Sequence, residues 1–172
     1  MAFLQKTTLN DGPQLDAFSR LRVSQAQSIF SNKLLVDAQP LVWDDQQVTG
    51  AGTTTTYDTN QSSQTMLAAG ATAGRRVRQT FRSFPYQPGK SQLVLMTGVL
   101  VASGAGNAAL TRRLGLYDDK NGFFFQYAGS TTSIGLRTFT SGVAVDTLVT
   151  QASWNLDMLD GTGPSGITLD VT

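Results

Sequence analysis

The chain has no histidine, no cysteine and no glutamate, and all twelve of its acidic residues are aspartate. Without cysteine there is no disulfide framework, no thiolate nucleophile and no zinc–sulfur site. Without histidine the usual general base at neutral pH and the commonest metal ligand are missing. Lysine occurs only four times. Glutamate and lysine are good helix formers, so their scarcity beside abundant Thr, Val, Phe and Gly points to strands and turns. Charged residues make up 15% of the chain, against about 25% in an average soluble domain. The net charge of +1 provides no global field to attract nucleic acid. Leu93–Ala102 is the longest apolar run; Thr97 and Gly98 interrupt it, and it falls far short of the ~20 residues of a membrane helix. Met1–Lys6 lacks a basic region followed by an apolar one, so no secretory signal is expected.

What remains is a chain of 172 residues, enough for one domain plus an arm. Residues 1–50 read as an extended arm with short strands at Ser28–Lys33 and Leu41–Trp43, interrupted by Pro13 and Pro40. Residues 51–172 read as a β-sandwich domain. Thr53–Thr56 and Asn60–Gln64 fit a surface strand or hairpin, and Met66–Gly70 a single helical turn. Gly74–Phe84 alternates cleanly. Ser91–Ala102 resembles a strand buried on both faces. Leu110–Tyr117 alternates, with Leu110, Arg112, Leu114 and Leu116 on one face. Asp118-Asp119-Lys120-Asn121-Gly122 is the strongest hairpin signal, since Asn-Gly tolerates positive φ. Strands are expected at Phe123–Tyr127, Ile134–Thr140 and Val143–Thr150, a short helix at Trp154–Leu159, and a last strand at Ile167–Thr172. Six short strands between Gly-rich turns over residues 74–152 predict an all-β, antiparallel β-sandwich of jelly-roll-like type.

The chemistry-bearing patterns are weak. Gly104-Ala105-Gly106-Asn107-Ala108-Ala109 matches a loose dinucleotide fingerprint, but a β pattern follows where a helix is required. Asp118, Asp119 and Asn121 suggest a calcium loop only until Lys120 and the missing glutamate are considered. Neither Asp44 with Asp45 nor Asp157 with Asp160 has a feature that would raise one carboxyl's pKa, as glycoside hydrolysis needs. Arg75, Arg76, Arg78 and Arg82 lie near Phe81, Phe84 and Tyr86, a pattern that can grip single strands. A subunit-contacting face with Arg–Asp pairs explains them more simply, so nucleic acid is not an expected partner. No catalytic residue, cofactor or metal ligand is expected.

Three segments carry a resemblance: Asp16-Ala17-Phe18-Ser19-Arg20-Leu21-Arg22-Val23-Ser24; the stretch from Tyr86 through Gln87-Pro88-Gly89-Lys90 to Gly98; and the stretch from Trp154-Asn155-Leu156-Asp157 through Gly161-Thr162-Gly163-Pro164 to Asp170. Together they span about 40 residues and resemble segments of a family of tailed-phage virion structural proteins. Where this chain has Ser19 the family pattern has Gly, so positive φ is not essential there. The resemblance implies a virion component, assembled in the cytoplasm of the host bacterium, and brings no catalytic residue. Capsid decoration, head–tail junction and tail fibre or spike all fit it. It also implies a chain continuing beyond Thr172, a truncated C-terminal end for the sandwich.

The expected function is therefore structural, through assembly with copies of itself, three in one unit, and with other virion proteins. The alternative is a lectin-like module binding host glycans, for which Trp43 or Tyr57 with Asp58 and Asn60 would serve. The expected assembly contacts are Phe18, Arg20, Leu21, Arg22, Phe30 and Trp43 in the arm, and Ile167, Leu169 and Val171, an apolar row on an open last strand. A non-enzyme should show no polysaccharide hydrolysis in a reducing-sugar assay; robust activity abolished by a single Asp→Asn change would contradict it.

Overall fold

The computed structural model describes residues 27–69, 71–85, 87, 88, 91–101 and 109–171. Among them it is all-β and antiparallel, as the composition predicts. The strands are β1 (Trp43–Gly50), β2 (Thr53–Asp58), β3 (Ser63–Ala68), β4 (Gly74–Thr80), β5 (Thr111–Tyr117), β6 (Gly122–Ala128), β7 (Thr131–Thr138) and β8 (Val145–Thr150). Strand β1 pairs with β4, β2 pairs with β3, and β5-β6-β7-β8 form a four-stranded sheet in sequence order. Two compact units emerge. One takes the chain up to Gln46, Thr55–Met66 and Val77–Leu93; the other takes Gln47–Thr54, Leu67–Arg76 and Val94 onward. Of the arm expected over residues 1–50, residues 1–26 lie outside the described residues.

Local chemistry explains the breaks between strands. Gly50 and Gly52, with φ of 70° and 75°, separate β1 from β2. A Cβ on Gly50 would lie 2.1 Å from the Ala73 carbonyl oxygen, so only glycine fits. The β2–β3 turn is held by Asp58, whose carboxylate accepts the backbone N–H of Asn60 at 2.8 Å. The β5–β6 hairpin falls where Asp118–Gly122 predicts it, but by a different device. Tyr117 faces Gly122 across the ladder, so the loop is four residues long. Asp118 Oδ1 accepts the N–H groups of Lys120 (2.7 Å) and Asn121 (2.6 Å). The positive φ (132°) belongs to Gly122, the first residue of β6. Between β6 and β7 the loop shrinks to Gly129-Ser130, with Gly129 at φ 63°.

Six local expectations fail. Neither Ser28–Lys33 nor Leu41–Trp43 forms the expected strand; Leu41 and Val42 are a turn, and β1 begins only at Trp43. Met66–Ala68 ends β3 and forms no helical turn. The described part of Ser91–Ala102 is not a strand and is not buried on two faces: Leu93, Leu95 and Val99 are exposed and only Val101 is buried. An apolar run becomes a central strand only where ladders form on both sides, and this run has none. Trp154–Leu159 is not a helix. Asp157 Oδ1 accepts the Leu159 N–H at 2.8 Å and Asp160 Oδ1 accepts that of Thr162 at 2.9 Å, side-chain bonds that compete with the helical pattern. One 3-10 turn, Gln151–Ser153, precedes it. Ile167–Val171 is no strand either; it makes a single bridge, Thr168 to Asp160.

The four-stranded sheet is built around Phe124, which is 1% exposed. Its cross-strand neighbours are Gly115 on β5 and Gly135 on β7. A Cβ on Gly135 would come within 2.4 Å of two Phe124 ring carbons, so the ring lies in the space that glycine leaves. Gly135→Ala should therefore lower stability by about 1–3 kcal/mol through overpacking, read as a drop in the urea midpoint; an unchanged midpoint would show that the ring is free to move.

Candidate assembly surface

In the first unit the aromatic residues expected to make assembly contacts are occupied within the chain. Phe30 packs edge-on against Trp43, with ring centroids 6.1 Å apart, and against Phe84 at 5.4 Å. Trp43 Nε1 donates to Asn32 Oδ1 at 3.1 Å, and the Arg78 guanidinium lies 5.0 Å from its ring centroid. Arg78 also pairs with Asp45 at 3.6 Å and donates to the Ala38 carbonyl at 2.6 Å. Burial pushes the Arg78 pKa below its ordinary value, with Asp45 opposing. Arg82 donates to the Ile29 carbonyl at 3.3 Å. These two of the four clustered arginines thus tie the chain to itself.

The residues suggested for glycan binding are similarly engaged. The Tyr57 hydroxyl donates to the Leu34 carbonyl at 2.9 Å, and Asp58 holds its own turn. A sugar platform needs an aromatic face free for stacking, and the Trp43 face carries Arg78.

The second unit presents a sheet with two different faces, because alternate residues of a strand point to opposite sides. On one face the register places Gly115, Phe124, Gly135 and Leu148 in one row, flanked by Arg113-Gln126-Ser133-Thr150 and by Tyr117-Gly122-Arg137-Asp146. Gln126 and Ser133 are buried beside Phe124. Arg137 binds Asp146 through both carboxylate oxygens, at 2.7 and 2.9 Å. Arg113 reaches the same carboxylate at 3.0 Å and donates to Gln126 at 2.8 Å. The Arg113 guanidinium sits 4.6 Å and that of Arg137 5.8 Å from the Phe124 ring centroid. Arg113 is on β5 and Asp146 on β8. Strands that far apart lie about 14 Å from each other in a flat sheet, so the ion pair requires a strongly coiled one.

The other face is apolar and open. Its rows are Leu114-Phe125-Ile134-Val149 and Leu116-Phe123-Leu136-Thr147, with Val145 beyond. Phe123, Phe125, Ile134, Leu136, Val145 and Val149 are 41–53% exposed. Gly98 packs against Leu114, bringing the exposed Leu95, Met96 and Val99 segment to the same side. Arg112 is the one charged residue at these positions, at the rim, and its Nη1 is buried without a hydrogen-bond partner. Leu114 and Arg112 share a face in the sequence pattern too. What the pattern does not show is that this face is the open one, because the row through Phe124 is interrupted by Gly115 and Gly135 and reads as the weaker.

The remaining expected contacts are divided. Phe18, Arg20, Leu21 and Arg22 lie outside the described residues. Ile167 is exposed; the Leu169 N–H donates to the Leu159 carbonyl at 2.7 Å, and the Val171 carbonyl accepts from the Val101 N–H at 2.9 Å. The C-terminal segment is thus anchored within its own unit. The Asp157 carboxyl, held below its usual range by the Ser165 hydroxyl and by the N–H groups of Leu159 and Ser165, organises that loop. Among the described residues no three metal-ligating side chains gather, and no helix is long and apolar enough to cross a membrane. No family model, curated protein or solved structure matches the chain.

Asp146 is the charge on which the covered face depends. Hydrogen bonds from Arg137, with the nearby charges of Arg113 and Arg137, hold its carboxyl below the ordinary value of about 3.9. A depressed folded-state pKa contributes stability that is complete above the unfolded value and is lost as pH falls through the folded one. Asp146→Asn should cost about 1–3 kcal/mol at neutral pH, and the deficit should shrink as pH drops below about 3.9. Urea melts of both proteins at neutral and acid pH would show it; a deficit independent of pH would remove the ionic origin.

Proposed function

We propose that this chain is a non-enzymatic structural component of a tailed-phage virion, acting through protein–protein assembly. One observation supports assembly above all: among the described residues only Val101 and Phe124 are buried hydrophobics, while 23 large hydrophobic residues are exposed. A soluble monomer rarely leaves contiguous apolar patches beyond a few hundred Å² open to water, and patches larger than this mark interaction sites. The virion assignment rests on the sequence resemblance, and the low charge with abundant Thr, Ser, Gln and Asn is consistent with a surface packed among neighbours. Capsid decoration, the head–tail junction and a tail fibre or spike are the positions it fits. The assembly contacts on this reading are the apolar residues of the four-stranded sheet together with Phe18 and Leu21 of the arm.

Purified particles of the phage that encodes the chain provide the test. Quantitative mass spectrometry should find the chain in multiple stoichiometric copies per particle, and a cryo-EM reconstruction should place it. Particles lacking the chain would overturn the proposal.

A further inference from the structure

We infer that the open apolar face of the four-stranded sheet stacks on the same face of a second copy of this chain. The inference rests on the assembly reading and names its surface and its partner.

Three features favour a second copy as the occupant. The first is charge. The two central rows contain no ionisable side chain, and Arg112 stands alone at the rim. Two copies can therefore meet at these rows without like-charge repulsion and without desolvating a charge. In a two-fold pairing each side contributes the same residues. The second is area. The exposed parts of Phe123, Phe125, Ile134, Leu136, Val145 and Val149 amount to roughly 500 Å² per copy, so a face-to-face pair buries about 1,000 Å², the least that a specific interface needs. Leu95, Met96 and Val99, exposed on the segment that touches Leu114 through Gly98, extend the patch further. The third is shape. Two coiled sheets stack face to face at about 30° or near 90°, about 10 Å apart, with the side chains of the inner faces interdigitating. Cross-strand rows of Leu, Phe, Ile and Val provide such a layer.

Sedimentation velocity of the full chain at micromolar concentration tests this, with Phe125→Asp and Leu136→Asp as disrupting variants. Both side chains are half exposed, so the substitutions leave the covered face intact, and far-UV circular dichroism should stay that of the parent. The parent should sediment at twice the 18.4 kDa chain mass or a multiple of it, and each variant should lose at least half of that mass. Val36→Asp, at an exposed apolar residue of the first unit, should leave the mass unchanged. Because the chain has no cysteine, Ile134→Cys adds a single thiol at the patch centre. A thiol cross-linker spanning on the order of 10 Å, the sheet-to-sheet distance, should then convert the protein to covalent dimer. An assembled parent whose mass survives both Asp substitutions would overturn the stacking and leave the assembly function standing. A parent that sediments as a monomer, with Ile134→Cys uncross-linked, would also overturn it.

Discussion

The structure depends on a shortage of interior. Folding a chain costs about 1–2 kcal/mol of backbone conformational entropy for every residue fixed, and burial of apolar side chains is the main return. Here two hydrophobic side chains among the described residues are buried, and one of them, Phe124, holds the centre of the largest sheet. The other buried side chains are small or polar: Thr53, Gln126, Thr132 and Ser133. Order is maintained instead by ladders, by Asp-capped turns and by a few Arg–Asp–aromatic clusters.

Those clusters explain how a sheet can cover its polar face and open its apolar one. A guanidinium is flat and weakly hydrated, and it stacks on rings while keeping its hydrogen bonds in plane. Arg113 and Arg137 both lie near the Phe124 ring and share Asp146, so two cations, one carboxylate and one aromatic form a single layer. The glycines at 115 and 135 make that layer possible by removing the side chains that would hold the ring away. The first unit uses the same arrangement at smaller scale, with Arg78 between Trp43 and Asp45. In both places arginine does structural work on a neighbouring aspartate, and Arg78 is one of the four that resemble a nucleic-acid patch in the sequence.

The pattern of residues made the class and most of the sheet legible, for local reasons. Alternation over Leu110–Tyr117, turn residues at Asp118–Gly122 and Gly129, and β-branched runs at Thr53–Thr56 are short-range signals, and the strands form there. The misreadings share a cause: they concern segments whose conformation is set by what lies beside them. Leu93–Val101 has the composition of a central strand but no ladder. Trp154–Leu159 has helical spacing, yet its aspartates bond to nearby N–H groups and turn it into loops. Trp43 and Phe30, plausible as contact residues by type alone, find each other and Phe84 at distances no periodicity encodes. The two faces of the four-stranded sheet were legible as sets of residues, but which set faces water was not, since Arg113, Arg137 and Asp146 lie on the covered side.

An apolar face left open by the fold ties folding to assembly. Anything that binds the folded state alone stabilises it in proportion to the logarithm of its concentration. For a chain whose interior is this sparse, a neighbour covering Phe123, Phe125 and Leu136 becomes the second half of the core. Each large side chain it covers adds part of the roughly 1.5–3 kcal/mol that full burial of a Leu or Phe contributes, comparable to the whole effect of the Asp146 network. On the proposed assembly reading, the charged layer and the open face divide the work between folding and association. The charged layer and capped turns fix the strand order within one chain, so the open face is shaped without a partner. If copies stack as proposed, stability rises with local concentration.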